Sequence, residues 1–473
     1  MPTLVGRMAI GTNEHPLRVA IVGSGPAGFY AAGHLLKSKS HPDLCVQVDM
    51  FDRLPTPWGL VRAGVAPDHP NIKAVSRVYE KTAEHPEFRF YGNVELGRDL
   101  TRDDLIARYH AVVYAVGAQT DRRMGIPGED LPGSWAATEF VAWYNGHPDY
   151  RDLEFDLSAE RAVVVGNGNV ATDVARMLAL TRDELAQTDV ADHALDVLAE
   201  SNVGEIVVLG RRGPAQAAFT NPELLELGEM TDADVFVDPG DVELDPLSKA
   251  FIESEAAHTT QKKNVEILTG YAGREPLGKR RRIVLRFLVS PVEILGTDRV
   301  EGLRIAHNEL VEGDDGSLRA RPTDITEELD CGLVFRSIGY QGTRIDGVPF
   351  DERSCTIPNE GGRITDRSGE YAVGWIKRGP TGIIGTNKRD AQETVNSILE
   401  DLDADRLPAP ADPERDSMEA LLAERQPDAV SYAGWQAVDR VEREAGEPHG
   451  RPRVKLCSFE ELLEAAKDAT PAP

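Results

Sequence analysis

Short apolar runs that end at a glycine recur along this chain and alternate with stretches of helical periodicity. Residues 18–22 (RVAIV) form a β-branched run before Gly23, residues 27–36 carry a helical pattern, and residues 46–51 (VQVDMF) form the next apolar run. This order predicts strand, helix and strand, a βαβ unit of a parallel sheet covered by helices.

A second unit of the same kind begins near Arg161. Its pattern predicts a strand over AVVVG, a helix to about Leu180 and a strand over IVVLG at 206–210. The helical pattern at 181–204 adds an excursion before that last strand. Two nucleotide-type units in one chain amount to a weak internal repeat.

Further apolar strands that run into small residues occur at 111–118 and 333–340. After residue 340 strand and helix signals resume, with YAVGW and then a helix from about Lys388. We therefore predict an α/β fold with two Rossmann-like nucleotide-binding domains, one inserted into the other. Residues 1–120 and 336–473 would form a discontinuous FAD-binding domain, and residues 121–335 the inserted NADP-binding domain. Residues 401–430 are rich in Pro, Asp and Glu and predict a surface connection followed by short helices.

The first βαβ unit contains the glycine pattern GxGxxG between its strand and its helix. Gly23, Gly25 and Gly28 fit a tight turn, a close approach of the backbone to a pyrophosphate and close helix–strand packing. Asp52 ends the following strand and can accept hydrogen bonds from ribose hydroxyls, and we prefer it to Asp49, which falls within the strand. Together these features predict an FAD site.

The second unit carries the variant GxGxxA over Gly166 to Ala171. Its next strand ends in Arg211 and Arg212 rather than in an acid. Guanidinium groups bind a 2′-phosphate by paired hydrogen bonds, whereas a carboxylate would repel it, so the pattern predicts an NADPH/NADP+ site. The alternative is two exposed arginines in a loop. The spacing from Gly168 to Arg211 is longer than usual.

Composition and charge narrow the class of protein. The chain has 473 residues, too many for one ordinary core, and its apolar content of 41% is that of a globular protein. Its net charge of −27 disfavours nucleic acids and anionic membranes as general partners. We expect no membrane insertion, because apolar runs of about 20 residues are missing.

The four cysteines are far apart in the sequence and form no CxxC motif. This spacing disfavours a redox pair, a bound iron–sulfur cluster or a zinc ribbon, so no metal site is predicted. Unpaired cysteines suit a reducing cytoplasm. The N-terminus lacks the apolar segment of a secretory signal, which also favours a cytoplasmic location.

Four long motifs resemble signatures of the adrenodoxin reductase-type NADPH–ferredoxin reductases. They are WGLVRAGVAPDHP (58–70), VVVGNGNVATDVAR (163–176), GRRGPAQAAFT (210–220) and VGWIKRGPTGIIGTNK (373–388). The resemblance runs from about residue 17 to near the C-terminus. It implies an FAD enzyme that takes hydride from NADPH and passes single electrons to ferredoxin, an acidic iron–sulfur protein.

The resemblance also implies which residues bind each cofactor. The FAD contacts would be Ala27, Asp52, Leu60, Val94, Trp375, Gly382, Ile383 and Ile384. The NADP contacts would be Asn169, Val170, Ala171, Thr172, Arg211, Arg212, Glu223 and Gly382. Thr172 stands where the family has Leu, and Asp52 stands where it usually has Glu. Trp375 could alternatively be an ordinary core tryptophan.

Three polar residues resemble a set that lies near the flavin in this family. His69, Asp173 and Glu226 are therefore candidate catalytic residues, for proton handling or for placing the nicotinamide. The alternative for His69 is a structural hydrogen bond. Hydride transfer needs no general base, so these residues could tune the reaction rather than drive it.

Other functions stay open on the sequence. A quinone or a small molecule could be the electron acceptor, because docking surfaces leave no short motif. A non-catalytic NADP sensor is a third alternative, disfavoured by the intact segment at 373–388. An acidic ferredoxin predicts a basic docking patch. The candidates are Lys377, Arg378 and the run from Lys279 to Arg282, each of which could instead be a solvated face.

Overall fold

The computed structural model describes residues 10–314 and 316–469. Residues 1–9 and 470–473, the ends of the predicted FAD domain, lie outside the described residues. No helix in the described ranges is both long and apolar enough to cross a membrane.

The first segment supplies most strands of the first sheet, which is parallel except at one edge, and the helices beside it. Its strands are β1 (Leu17–Val22), β2 (Val46–Phe51), β3 (Phe88–Tyr91), β4 (Ala111–Tyr114) and β5 (Thr120–Asp121). Its helices are α1 (Pro26–Leu36), α2 (Leu60–Ala63), α3 (Pro70–Lys73), α4 (Ser76–Ala83) and α5 (Arg102–Ile106).

The middle segment forms a second unit with its own sheets. Its strands are β6 (Ser134–Ala136), β7 (Arg161–Val165), β8 (Glu205–Leu209), β9 (Ala233–Val237), β10 (Arg281–Arg286), β11 (Val289–Leu295), β12 (Gly302–Glu312), β13 (Leu318–Asp330) and β14 (Leu333–Arg336). Its helices are α6 (Ala137–Tyr144), α7 (Asn169–Ala179), α8 (Arg182–Leu185), α9 (Asp192–Ala199), α10 (Asn221–Leu227), α11 (Pro246–Glu253) and α12 (Thr259–Ala272).

The last segment returns to the first unit. Its strands are β15 (Tyr340–Gln341), β16 (Asn359–Glu360), β17 (Arg363–Ile364) and β18 (Glu370–Ala372). Its helices are α13 (Trp375–Arg378), α14 (Ile384–Asp403), α15 (Ser417–Arg425), α16 (Tyr432–Gly446) and α17 (Phe459–Lys467).

The sheet order shows how the middle segment is inserted. The first sheet has the order β16-β17-β18-β4-β1-β2-β3, and β18 pairs in parallel with β4 across the whole insertion. The second sheet has the order β6-β14-β7-β8-β10-β9, and its pairings are all parallel. Strands β11, β12 and β13 form a separate antiparallel sheet. The predicted class, two Rossmann-like domains with one inserted, is confirmed. The boundaries at residues 120 and 335 stay a prediction.

The secondary-structure predictions agree with the structure over both βαβ units and at the strands predicted near residues 111 and 333, and they differ at three other places. The helix expected from Lys388 begins four residues earlier, at Ile384. The segment expected to be a surface connection has a buried side: Leu407, Met418 and Leu422 are almost inaccessible and pack into the cores. The antiparallel sheet of β11 to β13 was not predicted.

The C-terminal segment also joins the two units. Lys455 pairs with Asp189 at 3.3 Å and donates to the side chain of Asn145 at 3.2 Å, both in the inserted unit. Cys457 packs in the core of that unit, and Leu462 in the core of the first. Their relative position is thus set partly by buried polar contacts.

Candidate functional site

The first glycine loop has the close contacts that its pattern predicts. Gly23 has φ +107°, and a Cβ there would lie 2.4 Å from the carbonyl oxygen of Ala115. A Cβ on Gly28 would lie 2.2 Å from the oxygen of Gly23, so α1 approaches β1 too closely for any side chain. A Cβ on Gly25, in contrast, would meet no heavy atom within 4 Å. This middle glycine faces open space at the start of α1, where main-chain N–H groups and the helix dipole favour a phosphate.

Asp52 holds this loop through its carboxylate. One oxygen accepts hydrogen bonds from the backbone N–H of Ser24 at 2.8 Å and from its hydroxyl at 2.5 Å, and the other accepts from the N–H of Leu54 at 3.0 Å. Burial raises the pKa of Asp52, against the effect of these bonds. Asp49 is buried on β2 and bound to Arg18 and Tyr109, which is a structural role. The preference for Asp52 over Asp49 agrees with this geometry, and its ribose contact stays a prediction.

Residues expected around a flavin have an unpartnered hydrogen-bond donor or exposed apolar side chains, which a bound flavin would cover. The indole Nε1 of Trp375 is buried without a hydrogen-bond partner among the described residues, and its ring lies 5.2 Å from that of Tyr340. Leu60 and Ile383 are apolar but 36% and 62% exposed. A bound ring system would cover such side chains and offer the indole an acceptor.

The other expected FAD contacts frame the same region. Gly382 has φ +81° and turns the chain just before α14 begins at Ile384. The first N–H groups of this helix are available to an acceptor. Ala27 lies on α1, and Val94 is buried and donates its N–H to the carbonyl of Asp52 at 2.8 Å. The residues present therefore fit FAD.

The second glycine loop repeats the geometry of the first. Gly166 has φ +125°, and a Cβ there would lie 2.1 Å from the oxygen of Ser337, while a Cβ on Gly168 would meet nothing within 4 Å. Asn169 begins α7, and its side-chain oxygen accepts from the N–H of Thr220 at 2.9 Å. Thr172 bonds back to the carbonyl of Gly168 at 3.2 Å, so its hydroxyl is used within the helix.

The remaining NADP candidates of this loop differ in exposure. Val170 is half-buried and packs against the core of the inserted unit, and Ala171 is fully buried in that core. Neither side chain carries a polar group. Their contribution to a bound nucleotide would come from the main chain at the start of α7.

Arg211 and Arg212 follow β8, which pairs with β7 in parallel. Arg211 is exposed and Arg212 half-buried, and within residues 10–314 and 316–469 neither guanidinium has a hydrogen bond or an ion pair. Burial and the neighbouring charge of Arg211 lower the pKa of Arg212. Two adjacent cations without acidic partners are suited to a dianion such as a 2′-phosphate.

The candidate catalytic residues meet at the junction of the two units. His69 precedes α3 in the first unit, and its Nε2 lies 2.8 Å from Oε2 of Glu226 on α10. Its Nδ1 is 3.9 Å from Oδ1 of Asp173 on α7 and 3.8 Å from Oε1 of Glu223. The structure thus brings together His69, Asp173 and Glu226, as their common assignment predicts. It also places Glu223 in this cluster.

The cluster contains a cation that sequence reasoning missed. Arg176 is almost fully buried and pairs with Asp68, Asp173 and Glu223. Spacing could have indicated part of this arrangement: Asp173 and Arg176, like Glu223 and Glu226, are three positions apart on a helix and share a face. The pairing with Asp68 could not be deduced, because Asp68 is 108 residues away.

The pKa values of Asp173, Glu223 and Arg176 in this cluster are shifted from their ordinary values. Burial raises the pKa of Asp173 to about 6, with Arg176 acting in the opposite direction and Glu223 in the same one. Burial also raises the pKa of Glu223. Burial opposes the charge of Arg176, but the nearby carboxylates outweigh it and raise its pKa.

Ligand-type atoms of His69, Asp173 and Glu223 lie within 4.8 Å of one another. The guanidinium of Arg176 already supplies positive charge between the carboxylates, with Nη2 2.7 Å from Asp173 and Nη1 3.2 Å from Glu223. The arrangement is therefore that of an ion-pair network, and we assign no metal to it.

The basic groups proposed for partner docking are placed differently from the expectation. Lys377 is buried and pairs with Asp390 and Glu393. Arg378 donates to the side chain of Asn387 and pairs with Asp390. The expectation that these two form a docking patch is wrong, because acids of α14 neutralise them.

The basic run from Lys279 to Arg282, at the start of β10, also forms hydrogen bonds and ion pairs within the protein. Lys279 donates to the carbonyl of Met230, Arg280 pairs with Asp232, Arg282 pairs with Glu205, and Arg281 is buried against carbonyls of α7 and its end. The burial of Arg281 and the ion pairs of Arg280 and Arg282 weigh against this candidate patch, which stays a prediction.

Comparisons with known proteins place these features in context. The family profile described as "Pyridine nucleotide-disulphide oxidoreductase" matches residues 17–208. The chain is 53% identical to "NADPH-ferredoxin reductase FprA" of Mycobacterium leprae over 455 residues, covering 95% of this chain and 98% of that protein. It is 43% identical to "NADPH:adrenodoxin oxidoreductase, mitochondrial" of Salvelinus fontinalis, covering 95% of this chain and 91% of that protein.

A solved structure gives the same result. "Mycobacterium tuberculosis FprA in complex with NADPH" superposes with a TM-score of 0.91 at 52% identity, covering 96% of this chain and 100% of that one. The similarity therefore extends over both nucleotide units.

Proposed function

Since this chain belongs to the NADPH–ferredoxin reductase family, we propose that it binds FAD, oxidises NADPH and passes the electrons one at a time to a ferredoxin. The observation that carries this function is the pair of glycine loops, of which the second is followed by Arg211 and Arg212 without acidic partners. FAD supplies the step that neither protein side chains nor NADPH can perform, the conversion of a two-electron donation into single-electron steps.

The chain's own residues hold and orient the two cofactors. The loop at Gly23 to Gly28, with Asp52, would bind the pyrophosphate and ribose of FAD. Leu60, Trp375 and the start of α14 would enclose its ring. These assignments rest on the open space at Gly25 and on the unpartnered indole of Trp375.

The NADPH assignments rest on a different set of groups. Residues 169–172 at the start of α7 would bind the nucleotide phosphates, and Arg211 and Arg212 the 2′-phosphate. Gly382 would contact both cofactors. Glu223 would contact NADPH from the ion-pair cluster of Arg176 rather than from the arginine loop.

Exposed charge supports further details of the partner, and the four unpaired cysteines support the location. We propose that the ferredoxin is an acidic iron–sulfur protein and that the enzyme works in the cytoplasm. Lys388 and Arg389 on α14 are exposed, and among the described residues their side chains have no acidic partner. They lie in the same segment as the exposed Ile383, so they replace Lys377 and Arg378 as docking candidates.

The experiment that tests the function is anaerobic stopped-flow absorbance spectroscopy. The purified protein should be yellow, and NADPH should bleach its flavin absorbance faster than NADH does. Added ferredoxin should then accelerate NADPH-dependent reduction of cytochrome c. A protein that takes up no FAD on reconstitution would contradict the proposal. Bleaching by NADPH without any acceleration by the ferredoxins of the source cell would favour a quinone or small-molecule acceptor.

A further inference from the structure

Arg176 connects the two nucleotide-binding units at the polar cluster. It lies on α7 of the inserted unit, and its Nε and Nη2 are 2.6 and 3.2 Å from the two carboxylate oxygens of Asp68 in the first unit. It also contacts His69 of the first unit, and within the inserted unit it pairs with Asp173 at 2.7 Å, with Glu223 at 3.2 Å and with Glu226 at 3.8 Å. Its side chain is only 4% exposed. One buried side chain therefore connects the loop that carries His69 to α7, the helix that follows the second glycine loop.

The contacts of His69 determine where its proton lies. A guanidinium has only donors, and Nη2 of Arg176 lies 3.4 Å from Nδ1 of His69, so Nδ1 presents its lone pair. On the other side of the ring, Nε2 lies 2.8 Å from Oε2 of Glu226, and an ionised carboxylate only accepts. Glu226 therefore requires a proton on Nε2, and Arg176 disfavours a second proton on Nδ1, so the two contacts together select the Nε2–H tautomer.

The other acids near Nδ1 do not offset this preference. The nearest oxygens of Asp173 and Glu223 are 3.9 and 3.8 Å from Nδ1, beyond hydrogen-bond distance. Both carboxylates are bound to Arg176 instead. A proton on Nδ1 would point at the guanidinium without an acceptor in bonding range.

We propose that Arg176 is a positioning residue that holds His69 as the Nε2–H tautomer, hydrogen-bonded to Glu226. This inference rests on the proposed function. In that function the His69–Glu226 pair orients the nicotinamide and does not relay protons. A hydride leaves NADPH with both electrons of the C–H bond, so its transfer releases no proton that a base must accept. A ring whose Nδ1 faces a cation is poorly placed to take one.

The tautomer can be measured directly on the FAD-loaded protein. Histidine labelled with ¹⁵N gives different patterns of two-bond ring correlations for the Nε2–H, Nδ1–H and doubly protonated forms. The His69 signal is identified by its loss in His69→Gln. We expect the Nε2–H pattern at pH 7.5 in the wild-type protein. An Nδ1–H or doubly protonated pattern would overturn the proposal without recourse to any variant.

Variants distinguish hydrogen-bond donation by Arg176 from the contribution of its side chain to packing. Arg176→Gln carries an amide oxygen that can accept a hydrogen bond from Nδ1–H, so we expect a mixture of tautomers. Arg176→Lys again has only donors, so the Nε2–H pattern should persist although the paired bonds to Asp68 are lost. Asp68→Asn keeps Arg176 and should also leave the pattern unchanged. A mixture in Arg176→Lys or in Asp68→Asn would contradict the role assigned to the donor.

Kinetics give a second readout of the same residue. Arg176→Gln should slow reduction of the flavin by NADPH about tenfold to a hundredfold, because a misplaced nicotinamide loses much of its alignment. FAD content and affinity for 2′-AMP should stay at wild-type values, because neither the Gly23 loop nor the Arg211 loop is changed. An unchanged reduction rate would overturn the positioning role. If NADPH failed to reduce even the wild-type protein, the proposed function would fall, whereas the tautomer measurement would still stand.

Discussion

The side-chain amide of Asn308 donates a hydrogen bond to the main-chain carbonyl of Arg211 over 2.8 Å. Asn308 lies on β12, and its amide also donates to the hydroxyl of Ser290 on β11 at 2.8 Å. Leu288, beside β11, donates its N–H to the carbonyl of Arg212 at 3.2 Å. The antiparallel sheet and the residue beside it thus hold the main chain of Arg211 and Arg212 by hydrogen bonds. This sheet has no place in a minimal Rossmann unit, and its hydrogen bonds connect it to the proposed 2′-phosphate loop.

Removing the two arginine charges should weaken NADPH binding selectively. Each charge-assisted hydrogen bond is worth about 1.5–3 kcal/mol, so Arg211→Ala with Arg212→Ala should raise the KM for NADPH roughly 100-fold or more. The KM for NADH should stay nearly unchanged, because NADH lacks the 2′-phosphate. Steady-state rates with both nucleotides check this expectation.

Asn308→Leu provides a graded test of the same site. It keeps both arginines but removes the bond to the carbonyl of Arg211, which is worth about 1 kcal/mol net, so the KM for NADPH should rise about fivefold. Equal changes for NADPH and NADH, in this variant or in the double arginine variant, would show that the loop does not read the 2′-phosphate.

The first two glycines of the FAD loop should respond differently to alanine. Gly25→Ala adds a Cβ to open space, so the fold and the apoprotein Tm should be unchanged while FAD content falls sharply. Gly23→Ala places a Cβ 2.4 Å from a main-chain oxygen at a φ of +107°, so it should destabilise the apoprotein by about 2 kcal/mol or more. Absorbance at 450 nm and thermal unfolding measure the two effects. If the Gly25→Ala protein keeps its FAD, the assignment of the FAD pyrophosphate to this loop is wrong.

Both glycine loops could be predicted because their chemistry is local. A turn with positive φ at Gly23 and Gly166, and the near contact between Gly28 and Gly23, depend on residues a few positions apart. The sequence therefore indicates the nucleotide type at each loop, including the arginine pair. The insertion was also predictable, because strand signals resume after residue 340 and have to return to the first sheet.

The parts that escaped prediction depend on distant partners or on polar strands. Arg176 gains its role from Asp68, on another unit, and no local pattern marks a charged side chain for burial. Strand β13 carries exposed polar and charged residues along most of its length, so it lacks the apolar alternation that reveals a strand. Lys377 seemed free in the sequence because its acidic partners lie 13 and 16 positions later, on α14.

The buried carboxylate of Asp173 should make stability depend on pH. Its pKa is about 6 in the folded protein against an ordinary 3.8, so between these values the folded state binds more protons than the unfolded state. Stability is then lost as pH rises from about 4 through 6, by about 3 kcal/mol in total. Asp173→Asn removes this dependence, so its Tm relative to wild type should rise between pH 5 and pH 7.

An exposed aspartate provides the control for this measurement. Asp183 lies in the first turn of α8 and is solvent-exposed, so Asp183→Asn controls for the loss of one carboxylate outside the buried cluster. The comparison uses Tm differences, so the loss of the bond from Arg176 to Asp173 enters only as a constant offset. A Tm difference for Asp173→Asn that does not change between pH 5 and pH 7 would mean that Asp173 titrates normally.

Charge reversal at the start of α14 should impair reduction of ferredoxin. Lys388→Glu with Arg389→Glu removes two exposed cations and adds two anions, so an acidic partner would be repelled. We expect the rate of NADPH-dependent ferredoxin reduction at low salt to fall about tenfold or more, and the wild-type rate to decrease as ionic strength rises. Reduction of menadione, an uncharged acceptor that needs no docking, should stay at the wild-type rate.

The matched control for this surface is Lys249→Glu on α11. This side chain is exposed and belongs to the inserted unit, so reversing its charge changes the net charge without touching α14. When the two variants are compared at 0.1 M salt, ferredoxin reduction should fall only slightly in Lys249→Glu, because a charge more than about 10 Å from the docking surface is largely screened. Lys249→Glu changes the net charge by −2 and the α14 variant by −4, so a loss in Lys249→Glu half as large on a logarithmic scale would mean that net charge governs the encounter. A normal rate in the α14 variant would place docking on another face of the protein.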